Sequence, residues 1–180
     1  DAATAVVKQG GRRRGANMGV LRVDHPDVRE FIRVKSDPAR LTNFNISLAT
    51  PDRFWQAVEA GTRFDLVNPR NGLVASSVDA RELLDEIARF AWASGDPGVI
   101  FIDAVNRANP TPQLGPLAAT NPCGELPLLP NEACNLGSLR LDAFVRDGAI
   151  DWDALDVAVD LGVRFLDDVI EASHYPMPAI

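Results

Sequence analysis

Residues Thr120-Asn121-Pro122-Cys123-Gly124-Glu125 decide how this chain is read, with Leu126-Pro127-Leu128-Leu129-Pro130 and Glu132-Ala133-Cys134-Asn135-Leu136-Gly137-Ser138 behind them. Both cysteines of the 180-residue sequence lie in this stretch, and Cys134 follows Cys123 by 11 residues. In an extended segment the side chains at i, i+2 and i+4 fall on one side. Asn121, Cys123 and Glu125 are therefore expected to face one point. Pro122 fixes its own φ and biases Asn121 towards an extended shape. Gly124 removes a side chain where backbone has to pass close to a ligand. A thiol, a hydrogen-bonding amide and a proton acceptor on one spot read as a reaction centre. The plainer reading is a proline-rich loop with a packed cysteine.

These residues resemble the finger loop of ribonucleotide reductases, and more narrowly that of the adenosylcobalamin-dependent (class II) enzymes. The 11-residue cysteine spacing is similar to the cobalamin enzymes. It is shorter than expected for class I enzymes, which use a separate metal-bearing radical subunit. The resemblance runs from Lys8-Gln9-Gly10-Gly11 to Tyr175-Pro176 and so covers nearly the whole chain. It implies an α/β fold: residues 1–180 as part of a ten-stranded α/β barrel, with the finger loop, 120–127, threaded into its lumen. Leu126 departs from the pattern, which leads one to expect glutamine there; the three catalytic positions are intact.

Upstream, residues 7–19 form a glycine-punctuated basic loop carrying Lys8, Arg12, Arg13 and Arg14. No Gly-Lys-Ser/Thr follows, so it is not a Walker A loop, and no hydrophobic strand precedes it as in a Rossmann fingerprint. Alone it reads as a solvated basic turn. By resemblance it holds the specificity loop between an allosteric nucleotide site and the substrate base, with Lys8, Gln9, Gly10, Gly11, Arg13 and Arg14 as its residues.

Between the two loops, strands alternate with helices. A short strand is expected at 20–23, then a helix capped by Asp24, with Pro26 in its first turn and Phe31, Ile32 and Val34 on its apolar face. His25 is expected to make a structural hydrogen bond there. Residues 43–49 alternate Asn43, Asn45 and Ser47 with Phe44, Ile46 and Leu48, the period of a strand with two different faces. Thr50-Pro51-Asp52 opens a helix carrying Phe54, Trp55 and Val58. A strand at 64–68 and a turn at Asn71-Gly72 lead to Asp79 and Glu82, spaced as in a capping box. The following helix presents Leu83, Leu84 and Ile87 and ends before Gly95. A buried strand is expected at 98–102, and 103–120 shows no clear period. From 151 to 172, Trp152, Leu155, Val159, Val163, Leu166 and Ile170 recur at helical spacing, a stripe that reads as core.

Composition narrows the setting. With 46% hydrophobic residues the chain can bury a sizeable core, and its length suggests one domain. A net charge of −7 implies no direct nucleic-acid partner. Two cysteines without a scaffold pattern argue for a reducing compartment. With no membrane-length apolar run and no signal-peptide pattern, a cytoplasmic location is expected. The start at Asp1, without an initiator Met, reads as an internal segment of a larger catalytic subunit.

The resemblance also implies a chemistry: a ribonucleoside-diphosphate reductase dependent on adenosylcobalamin, making 2′-deoxyribonucleotides for DNA synthesis and repair. Cys123 would carry a thiyl radical that takes the hydrogen from C3′. Glu125, beside Leu126, Leu128 and Leu129 and so expected to be partly desolvated, would accept the 3′-hydroxyl proton. Asn121 would hold the substrate hydroxyl. Cys134 would be half of the dithiol that supplies two electrons and becomes a disulfide, its partner preceding Asp1. An external thioredoxin-type or dithiol reductant would restore it. The implied partners are a ribonucleoside di- or triphosphate substrate and a nucleoside triphosphate effector, and a homodimer is compatible with them. No metal site is expected. Three alternatives stand beside this reading: a class I large subunit; a non-catalytic thiol-redox domain pairing Cys123 with Cys134; and a zinc module using both cysteines, His25 and His174. The last lacks the short ligand spacing such sites favour.

Overall fold

A computed structural model describes residues 1–6, 8–9 and 13–180. The helix α1 (Ala2–Val6) and the strands β1 (Lys8–Gln9) and β2 (Arg13–Arg14) come first. Then follow β3 (Asn17–Arg22), α2 (Val28–Arg33), β4 (Phe44–Thr50) and α3 (Asp52–Ala60). Next are β5 (Arg63–Val67), β6 (Val74–Asp79), α4 (Ala80–Ser94), β7 (Gly98–Phe101) and α5 (Ile102–Arg107). The chain continues through β8 (Ala119–Thr120), β9 (Pro127–Leu128), β10 (Val145–Arg146) and β11 (Ala149–Ile150) to α6 (Trp152–Ala172). Length suggested one domain, but the chain forms two compact units, Asp1–Pro130 and Asn131–Ile180.

The first unit is built on a three-stranded parallel sheet in the order β3-β4-β7. Parallel strands need crossovers, and α2 supplies one between β3 and β4. Between β4 and β7 the chain makes α3, the antiparallel hairpin β5–β6 and α4. As the middle strand, β4 is buried from Ile46 to Thr50, including Ser47 at 7% and Thr50 at 1% exposure. The two-faced alternation read at 43–49 is thus only partly realised: of its polar residues, Asn45 alone is exposed. Gly98 makes the β4–β7 contact close, since a Cβ there would come within 2.8 Å of the Ser47 hydroxyl oxygen.

The helices pack their apolar faces into one core of Val23, Val28, Ile32, Leu48, Phe54 and Leu83 with their neighbours. Phe54 meets Phe64 edge to face at 5.2 Å. Burying a side chain of this size contributes about 1.5–3 kcal/mol. At the head of α4 the Asp79 carboxylate accepts from the Arg81 and Glu82 amides at 2.9 and 3.0 Å, and Gly95 closes the helix at φ +83°.

Asp24 does not cap α2. The residue before that helix is Asp27, which makes no side-chain cap bond. Asp24 is 6% exposed, and its carboxylate is taken by Arg22, at 3.0 and 2.9 Å, and by Arg53. A guanidinium fork engages both carboxylate oxygens, and the helix begins only at Val28, four residues on. His25 Nδ1 accepts from the Asp27 amide at 3.1 Å, the structural bond expected of it.

In the second unit no residue is buried. The helix α6 has the expected span, but its stripe is not core: Val163 is 64% and Ile170 51% exposed. The reason lies in the unit itself. Within the unit, short segments around Asn135, Gly137 and 141–144 lie against this 21-residue helix and leave much of its apolar face uncovered. No closed barrel is formed among the described residues, and no helix among them is long and apolar enough to cross a membrane.

Candidate active site

Residues 121–126 join β8 to β9, which pair antiparallel with Thr120 opposite Pro127. The Gly124 amide donates to the Asn121 carbonyl at 3.0 Å, closing a four-residue turn with Pro122 and Cys123 at its centre. Asn first, Pro second and Gly fourth is the type I pattern. Cys123 lies outside the positive-φ region, as that turn requires, and Gly124 takes φ +88°.

The turn overturns the extended reading of 121–125. The side chain of Asn121 folds back, its Oδ1 accepting from the Leu126 amide at 3.0 Å, while the Asn121 amide donates to the Leu126 carbonyl at 3.2 Å. Leu126 enters the turn through backbone groups alone in these bonds, so the departure from glutamine leaves them intact. The Thr120 hydroxyl, 8% exposed with its residue, also donates to the Asn121 carbonyl at 3.0 Å.

Cys123 is a free, exposed thiol at this tip. Glu125 is exposed as well, which corrects the expected desolvation: neighbouring leucines in sequence do not enclose its carboxylate. Cys134 is a free, exposed thiol of the second unit. The basic loop is a hairpin at its base, with Lys8 opposite Arg14 and Gln9 opposite Arg13. Gly10, Gly11 and the side chains of Lys8, Gln9 and Arg13 lie outside the described residues. Arg14 donates to Asn43 Oδ1 at 2.6 Å and so joins that hairpin to the segment entering β4.

Two residues that sequence reasoning passed over hold these segments. Asn43, 7% exposed, accepts from Arg14 and donates to the Asp1 backbone carbonyl at 3.1 Å and, through its amide, to the Asp1 carboxylate at 3.0 Å. Asn45 Nδ2 donates to the Pro122 carbonyl at 2.5 Å. Their alternation along the strand was the available signal.

An open apolar groove of about 330 Å³ in the second unit, lined by Leu136, Leu139, Val163, Phe165 and Leu166, carries no acid, base or thiol. Among the described residues no group of three or more His, Cys, Asp or Glu is placed to hold a metal ion.

A parallel α/β sheet beside a hairpin turn that carries Asn121, Cys123 and Glu125 belongs to a known class. The family model of the ribonucleotide reductase barrel domain matches residues 1–180, and the chain belongs to that family. Among its curated relatives, a vitamin B12-dependent ribonucleoside-diphosphate reductase of Mycobacterium tuberculosis (strain CDC 1551 / Oshkosh) is 51% identical over all of this chain and 26% of its own length. One of the same name from Thermoplasma acidophilum is 50% identical over all of the chain and 24% of its own length. A vitamin B12-dependent ribonucleotide reductase of Streptomyces clavuligerus is 33% identical over all of the chain and 22% of its own length. The chain spans about a quarter of the length of these relatives.

Proposed function

We propose that this chain forms part of the catalytic barrel of an adenosylcobalamin-dependent enzyme that reduces ribonucleoside diphosphates to 2′-deoxyribonucleotides. The observation that carries the reading is the β8–β9 turn, which gathers an amide, an exposed thiol and a carboxylate on six residues. The names of the relatives favour the cobalamin-dependent enzyme over a class I subunit or a purely redox domain.

A ribonucleotide's 2′-hydroxyl is a poor leaving group, so the neighbouring carbon has to be activated first. Cys123, as a thiyl, takes the C3′ hydrogen; its exposure at a turn tip fits a thiol reached from outside the chain. When bound, the cofactor supplies the radical that Cys123 carries. Glu125 accepts the 3′-hydroxyl proton, and Asn121 Nδ2, free of hydrogen bonds among the described residues, holds a substrate hydroxyl. The 2′-oxygen leaves as water with a proton from the cysteine pair, and after reduction Cys123 returns the hydrogen to C3′ and is a thiyl again. Cys134 and a second cysteine supply two electrons and close to a disulfide, which a thioredoxin-type reductant reopens. An effector nucleotide acts through loop 7–19, with Lys8, Gln9, Gly10, Gly11, Arg13 and Arg14 as the relay, and assembly as a homodimer belongs to the same proposal.

The test separates the two cysteines in the full-length protein. Cys123→Ser abolishes both tritium release from 3′-labelled substrate and deoxynucleotide formation, because an alcohol O–H is too strong to form its radical by this route. Cys134→Ser retains tritium release while product collapses. Normal product from Cys123→Ser overturns the mechanism. Activity restored by a separate metal-bearing subunit, with no response to cobalamin, overturns the choice of cofactor.

A further inference from the structure

We propose that Asn45 is a positioning residue for the Cys123 thiol, acting through the peptide that joins Pro122 to Cys123. The inference rests on the reading of Cys123 as the reactive thiol. Most of the turn's hydrogen bonds are local: Gly124 amide to Asn121 carbonyl, Leu126 amide to Asn121 Oδ1, Asn121 amide to Leu126 carbonyl, Thr120 hydroxyl to Asn121 carbonyl. Among the described residues, one side chain distant in sequence bonds to it, Asn45, 77 positions from Pro122. Asn45 is the second residue of β4, paired in register with Met18 of β3, so its backbone is fixed by the sheet.

The atom it holds matters more than the tether. In a four-residue turn, types I and II differ by a swing of the peptide between the second and third residues, and the swung form demands φ > 0 at the third. Here that peptide is Pro122–Cys123, and the third residue is the thiol carrier. Its carbonyl points at Asn45 Nδ2 at 2.5 Å, and Cys123 keeps φ out of the positive region. Without the bond, the other bonds still close the hairpin but leave this peptide free to rock. Rocking rotates the Cα–Cβ bond of Cys123 and re-aims the sulfur. Hydrogen abstraction needs the sulfur on one carbon's hydrogen, so the cost falls on the reaction step and spares substrate binding.

The experiment uses the full-length protein with Asn45→Asp, which keeps the size but loses the N–H donor, and Asn45→Gln, which retains an amide donor. Three readouts are taken: 3′-tritium release kinetics, the alkylation rate of Cys123 by iodoacetamide with Cys134 as internal control, and melting temperature. For Asn45→Asp, kcat falls roughly 10- to 100-fold with KM within about twofold of wild type. Cys123 alkylation changes by about threefold or more while Cys134 is unmoved, since only one thiol is re-aimed. Asn45→Gln recovers most of both, and melting temperature is retained. Unchanged kcat and unchanged Cys123 alkylation in Asn45→Asp overturn the proposal. So does an equal loss in Asn45→Gln accompanied by a fall in melting temperature for both, which would make Asn45 a fold residue. If wild type itself releases no tritium, the functional reading fails, and the alkylation arm still decides whether Asn45 orients the thiol.

Discussion

Asn121 faces two demands at once. Its Oδ1 is committed to the Leu126 amide, and its Nδ2 is left for a substrate hydroxyl in the proposed reaction. Replacement by aspartate divides them, because a carboxylate oxygen still accepts from Leu126 but nothing remains to donate. In the full-length protein Asn121→Asp is expected to keep its melting temperature and lose roughly 10²-fold or more in kcat/KM, the loss of one donor in a reaction site. Asn121→Ala loses both roles, with about 1 kcal/mol of local stability gone from the turn as well. Activity near wild type in Asn121→Asp would remove the amide from the chemistry and leave it a turn residue. The same side chain explains why an extended segment was the wrong expectation. Pro122 does bias the residue before it, but Asn at the first, Pro at the second and Gly at the fourth position specify a closed turn more strongly. The three residue types proposed to act were visible in the sequence; their arrangement was not, because a period-two argument holds only where the backbone is a strand.

At the scale of elements, long and well-punctuated segments read true. The helix α4 was bounded by Asp79 and Gly95, and both act as a cap and a left-handed terminator. The Asp79 cap yields a local test: Asp79→Ala removes two accepted hydrogen bonds and costs about 1 kcal/mol. Hydrogen exchange at the Arg81 and Glu82 amides should then speed up about fivefold, with the C-terminal half of the helix unchanged. No acceleration would mean that packing, not the cap, sets the start of α4. Short elements escaped the reading for a physical reason. The helix α5 has six residues, less than two turns, so no period develops, and β6 carries Ala75, Ser76 and Ser77 where a strand would show apolar alternation. For α6 the period was right and the inference of burial wrong, since periodicity reports which residues could share a face and says nothing of what lies against it.

Across the first unit as a whole, one carboxylate joins elements far apart in sequence. Asp24 follows β3, its carboxylate binds Arg22 of β3 and Arg53 of α3, and its backbone carbonyl accepts from Val67 of β5 at 2.6 Å. Arg53 also lies over the Phe64 ring, 4.8 Å from its centre. Burial pushes the Asp24 carboxyl up, and the hydrogen bond and charge of Arg22 with the charge of Arg53 outweigh it, so its pKa lies below the ordinary carboxylate value. A depressed carboxylate contributes stability that is present above its unfolded pKa, about 3.9, and is lost as pH falls through the folded value. The same bonds raise Arg22 above a value already beyond working pH, which adds no dependence there. The side chains of Arg22 and Arg53 are 58% and 47% exposed, so solvent screens both pairs. The contribution at neutral pH is therefore about 1–2 kcal/mol rather than the larger figure for a fully buried pair. Asp24→Asn should be less stable than wild type at pH 7, by that amount, and the gap should hold down to about pH 5. Below about pH 4 it should narrow, and it closes only once the pH has fallen through the folded value, where the wild-type carboxyl is neutral in the native state as well. Melting curves of both proteins across that range, read beside exchange of the Val67 amide, check the sign and the window. A gap that stays constant down to pH 3 would assign the loss to shape or hydrogen bonding and not to the charge of Asp24.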